Sequence, residues 1–330
     1  MKFHTIIAVG LAALAGFSYA QQPAKPKGLV AVVQVSEKSK PGKLVVKGAS
    51  GKDTFVYYDA GSEQDVQRNA AKMKLFFLLT PADLVEAEQS LGASDLEEAA
   101  RQLAAVKEAY KGYLGLDRNP AERAAVLEID CAVRRLAFAE LKTLVGSFPH
   151  PEWLGAEDKG KLMAANILVK AVGGAALADV ENEVKQLMDS GVGKTLNGSS
   201  YGWLQYAIAY ATAAAITPED LAGTIPADKE AAAHKAIDAY CRAAVSSHGR
   251  DMELPIDAMV RAQALLWAMP GVKEYAAKGA SMDAGKWGEA PANFRDAVAL
   301  AYMLKNIYGA GGEAIDAAAK LFFNTQAGKE

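Results

Sequence analysis

Three short runs rich in valine, phenylalanine and tyrosine lie near the start of the chain: Gly28–Val35, Lys43–Lys47 and Asp53–Tyr58. Lys-Pro-Gly and Gly-Ala-Ser-Gly-Lys separate them, and such residues break strands into hairpins. The pattern predicts a three-stranded β meander. Strands this short hold little core by themselves, so the sheet must lean on the remainder of the chain. Gly61 to Asn69 reads as the crossing point into a different texture.

From Ala70 onward the apolar residues follow a helical period, and no convincing strand appears. The predicted helices are 71–79, 81–92, 95–113, 120–146, 157–172, 176–189, 200–215, 228–247, 254–268, 271–278, 291–307 and 312–325. Start signals mark several of them. Thr80-Pro81 and Asn119-Pro120 each read as a capping residue followed by proline at the first helical position. Ser94-Asp95-Leu96-Glu97 reads as a capping box. Thr217-Pro218-Glu219-Asp220 and Ile225-Pro226-Ala227-Asp228 place acids where a helix N-terminus favours them.

The 24 residues from Thr195 to Pro218 carry no charge. Within them Trp203–Ile216 is apolar nearly all round, about 21 Å of helix against the roughly 30 Å of a hydrocarbon core. It is therefore predicted to be a central buried helix clamped by its neighbours. Trp203, Tyr206 and Tyr210 share one stripe of it. They are the candidate binding residues if the stripe lines a groove for a peptide or glycan; aromatic stripes at helical spacing more often face a core.

Internal repetition is strongest between Ala87 and Tyr110, where Ala87, Asp95-Leu96, Ala99 and Leu103 alternate small and large residues around a turn. Val106 and Lys111 depart from the pattern, where alanine and proline are usual. A weaker pair spans Ala299–Phe323 around Gly309-Ala310-Gly311-Gly312. With the small β segment in front, this layout resembles bacterial exported tetratricopeptide-like proteins. The resemblance implies a mainly α fold, a TPR-like α-solenoid of antiparallel helix pairs. It also implies a protein-interaction scaffold or adaptor outside the cytoplasm, with protein partners drawn from envelope or membrane-complex components. No catalytic residue carries over.

The first twenty residues fit that location. Lys2, the apolar run Ile6–Phe17 and Ser18-Tyr19-Ala20 match the three regions of a secretory signal peptide, with cleavage after Ala20. The run is too short for a membrane anchor. The chain then divides into signal (1–20), spacer and meander (21–69) and helical domain (70–330). It is expected to be a soluble periplasmic or extracellular protein. Cys131 and Cys241 stand 110 positions apart, each in a helical stretch among apolar neighbours. In a stack whose units touch only neighbours such residues seldom meet, so two buried free thiols are favoured over a bridge.

Composition narrows the function classes. Alanine supplies 66 of 330 residues and aromatics 8%, which suits close-packed helices. A formal charge of −3 offers no nucleic-acid grip, and the basic stretch Val35–Lys43 falls in a hairpin connection. Gly198-Ser199-Ser200-Tyr201-Gly202 fits the G-x-S-x-G elbow of serine hydrolases, with Asp228 and then His234 or His248 coming later in the required order. The strand that must precede such an elbow is missing, so a capping loop is the preferred reading. Gly191-Val192-Gly193-Lys194-Thr195 lacks the first glycine of a phosphate loop, Met188 standing there. His234, Asp238 and Cys241 share a helix face, and His150 stands alone; a zinc site wants three or four convergent ligands. Glu97-Glu98, Glu181/Glu183 and Glu219-Asp220 read as solvent or capping carboxylates. No enzyme activity, metal or cofactor is predicted.

Overall fold

A computed structural model describes residues 28–247, 252–278 and 284–322. The predicted signal segment 1–20, the spacer 21–27, His248 and Phe323 lie outside the described residues. Five strands form one antiparallel sheet: β1 (Leu29–Gln34), β2 (Gly42–Ala49), β3 (Thr54–Asp59), β4 (Gln64–Asn69) and β5 (Leu75–Leu78). Their order across the sheet is β4-β3-β2-β1-β5. The three predicted strands stand side by side at its centre, and two were missed. β4 replaces the predicted crossing point; as an exposed edge strand it needs no apolar alternation, and its sequence QDVQRN carries none. β5 replaces the predicted helix 71–79. Its LFFL run alternates half-buried and buried positions, with Phe76 and Leu78 on the core face, but four apolar residues have no readable period.

The sheet buries one face. Leu29, Ala31, Val46, Phe55, Tyr57, Phe76 and Leu78 meet Tyr113 and Leu116 from the helical part. Tyr113 fastens the two together. The backbone N–H of Leu29 donates to its hydroxyl at 3.2 Å, and that hydroxyl donates to the Val46 carbonyl at 3.1 Å. Asp53 N–H also donates to the Gly115 carbonyl. Gly115 has φ +88°, and a Cβ there would lie 2.9 Å from the Trp153 ring and 3.1 Å from Lys52 Cα, so glycine alone permits this approach.

The first seven helices are, in chain order, α1 (Ala82–Gly92), α2 (Leu96–Ala109), α3 (Pro120–Arg134), α4 (Phe138–Gly146), α5 (Ala156–Val172), α6 (Leu177–Asp189) and α7 (Gly198–Ala213). After α7 come α8 (Pro218–Ala222), α9 (Glu230–Ser247), α10 (Glu253–Ala268), α11 (Val272–Lys278), α12 (Ala292–Asn306) and α13 (Glu313–Phe322). Asn119 caps α3 with Pro120 at the first position, and Thr217 and Asp220 form a full capping box on α8. Two start signals shift by one residue. Pro81, without a side-chain bond, precedes α1; Asp95 caps α2 because Ser94 turns left-handed at φ +61°. The predicted helix 120–146 breaks at Leu136, also left-handed at φ +54°.

The helical core winds around α7. Ser199, Ser200, Gly202–Ala207, Ala209, Ala211 and Thr212 are all buried, as expected of an uncharged helix surrounded by others. Gly198 and Gly202 let α9 close in: a Cβ at Gly202 would stand 2.0 Å from Ser247 Oγ, and one at Gly198 2.7 Å from the Ser246 carbonyl. The alanines 233, 236, 239, 243 and 244 of α9 are buried against this region. Arg134, at the end of α3, donates to Leu91 O and Ser94 Oγ and stands 3.8 Å from Glu253 of α10.

Candidate functional site

Two of the predicted binding rings are core residues. Trp203 and Tyr206 are 0% exposed; Tyr210 alone is half-buried. Tyr206 meets Tyr240 edge-on at 5.5 Å, Phe138 at 6.1 Å and Tyr210 at 6.3 Å. Its hydroxyl donates to Asp257, which also accepts from Arg261 Nε at 2.5 Å, and the Arg261 guanidinium lies 5.3 Å from the Tyr210 ring centre. Burial, then the Asp257 charge, raises the Tyr206 hydroxyl well above the ordinary tyrosine range. The stripe is thus a three-helix clamp joining α7, α9 and α10, and it offers no open groove along Trp203 and Tyr206.

Ser200 sits in the first turn of α7, where its N–H donates to the capping Asn197. The element before it is a 3-10 turn, Gly193–Thr195, so the strand of a nucleophile elbow is absent here. Contacts of Gly198 and Gly202 place this end of α7 beside Ser246 and Ser247. His234 lies about 18 Å back along α9 at 1.5 Å per residue, and it is exposed. Ser200 and His234 are not brought together.

His234, Asp238 and Cys241 line the outer face of α9, all exposed. Cys241 therefore corrects the expectation of two buried thiols. Cys131 is buried, its thiol donating to the Leu96 carbonyl, and burial pushes it up to about 11. Both cysteines are free. Among the described residues no group of three or more His, Cys, Asp or Glu could hold a metal. Nor is any helix there long and apolar enough to cross a membrane.

A cleft of about 500 Å³ lies where the sheet meets the first helices. Lys52 and Asp53 from the β2–β3 turn, Leu84 and Glu88 from α1 and the loop Gly115–Asn119 form its walls. Glu122 and Arg123 of α3, Trp153, and Gly155 and Asp158 at the start of α5 complete them. His150, left-handed at φ +47°, stacks on Trp153 at 3.7 Å with the rings within 9° of parallel. Arg123 pairs with Glu88 at 3.0 Å and Asn119 donates to Glu122 at 3.3 Å. Lys52, Asp117 and Asp158 have no ion-pair partner among the described residues. Burial raises Glu122 above the usual carboxylate range despite the Asn119 bond, with Asp158 and Asp117 adding to it. Burial likewise raises Asp158, against Lys161 and Arg123. These residues carried no motif. They come from four separate stretches, and the one local signal was the Asn119-Pro120 helix start.

No protein-family model, no curated protein and no solved structure matches the chain.

Proposed function

We propose that this chain is an exported interaction scaffold of the bacterial envelope, a TPR-like stack of helix pairs that curls around α7 and holds a protein partner. α1 and α2 form the clearest pair: Ala87, Ala99 and Leu103 meet in one small core with Leu84, Leu91 and Val106. Partner binding centres on the sheet–helix cleft. The observation that carries this reading is the cleft itself, an open hollow with an aromatic wall and with Lys52, Asp117 and Asp158 in no ion pair among the described residues. Such groups await pairing from outside and favour a polypeptide segment over an apolar ligand.

The test is site-specific photo-crosslinking in the native envelope. A crosslinker in place of Arg118, at the cleft, is expected to give a discrete protein adduct. One in place of Ile307, 67% exposed beyond α12, is expected to give none. Equal adducts from both positions, or none from either, would overturn the reading.

A further inference from the structure

A second pocket, about 250 Å³, opens between α2, α3 and α4. Ala121, Ala125 and Glu128 occupy one face of α3, and the two alanines leave the hollow that longer side chains would fill. Leu144, Phe148 and Pro149 close the opposite wall, and Lys107 and Lys111 of the α2 side stand at its edge. Glu128 is only 7% exposed. Lys107 donates to its Oε2, while Oε1 has no hydrogen-bond partner among the described residues. Burial raises the Glu128 carboxyl against the pull of Lys107, with Glu140 adding to the rise. The second carboxylate oxygen is open to the pocket beside apolar side chains, so it can accept from a donor that carries apolar surface.

We propose that this pocket seats a tyrosine side chain of the protein partner, its ring against Leu144, Phe148 and Pro149 and its hydroxyl donating to Glu128. Three chemical features select that occupant. The volume suits one ring, the wall formed by Leu144, Phe148 and Pro149 is apolar, and the open oxygen accepts from a neutral donor. A phenylalanine makes no use of that oxygen, and an arginine or lysine brings a second cation to a carboxylate that Lys107 already neutralises, while Glu108 pairs with Lys111 at the edge. The partner's existence rests on the scaffold reading; the pocket's chemistry does not.

The full chain, ¹⁵N-labelled, is titrated with phenol and with anisole, which keeps ring and oxygen but cannot donate. Amide shifts are expected around Ala121, Ala125, Glu128 and Phe148, with phenol tighter by about fivefold, the worth of one net hydrogen bond. A blocked Gly-Tyr-Gly peptide is expected to show the same preference over Gly-Phe-Gly. Glu128→Met removes the phenol preference, and Leu144→Ala weakens both probes alike. The second variant keeps the test valid if the first does not fold. Equal affinity for phenol and anisole, shifts centred elsewhere or no shifts up to probe solubility would overturn the pocket. Phenol binding without tyrosine-peptide binding would overturn the partner tyrosine. Phenol selectivity combined with no adduct from position 118 would leave the pocket standing and sink the scaffold.

Discussion

The sheet and the α7-centred core are stabilised by different means. The sheet buries seven strand residues on one face and joins the helices through the Tyr113 hydroxyl and the Gly115 loop. The α7 core is one continuous cluster reaching from α3 to α13, in which alanines and two glycines bring backbones close. The first region depends on a few polar fastenings, the second on packing that no single bond dominates. Opening of the sheet should therefore occur alone, whereas damage near α7 should reach the whole helical part.

Four substitutions probe that contrast. Trp203→Ala creates the largest void in the core and is expected to cost about 3–5 kcal/mol, read as a fall in Tm of the whole chain. Confinement of the loss to α7 amides would break the comparison. Tyr113→Phe leaves the Leu29 N–H and the Val46 carbonyl without their link, at about 1–3 kcal/mol. Hydrogen exchange should quicken in β1 and β2 and leave α7 and α9 unchanged; equal quickening in both regions would contradict the separation. Asn119→Ala removes the α3 cap at the junction, at about 1 kcal/mol, and should expose the first turn of α3 in the same measurement.

The smallest effect is one of pH. Burial raises Glu122, so the folded chain binds that proton more tightly than the unfolded chain, and stability falls as pH rises above the ordinary carboxylate range. Glu122→Gln should raise Tm relative to the parent at pH 7 and lose that advantage near pH 4. A gain that is the same at both pH values would show that desolvation of the charge is not the cause.

Much of the helical part was legible because its signals are local. Asn119-Pro120 acts within one turn and caps α3 as read, and the acids after Thr217-Pro218 mark the start of α8, which the predicted helices did not include. The burial of α7 was legible from its missing charges. What escaped was decided at a distance. β4 is polar and pairs only because β3 offers an edge, and the break at Leu136 has neither glycine nor proline to mark it. The exposure of Cys241 depends on which face of α9 meets α7. Of the candidate binding residues, Trp203 and Tyr206 were legible as an aromatic stripe, and only the fold decides that it points inward. Neither cleft nor pocket is written in any one stretch, since each draws on several.

The all-round burial of α7 also bears on how such a chain can change. Open repeat arrays gain or lose units readily, because each unit leans only on the next. Here α7 is covered by α5 and α9, by Phe138 from α4 and by Asp257 from α10. Deleting or duplicating a helix pair would uncover apolar surface at the centre. The helical part should therefore resist being shortened, lengthened or cut into modules, and vary instead at its rim.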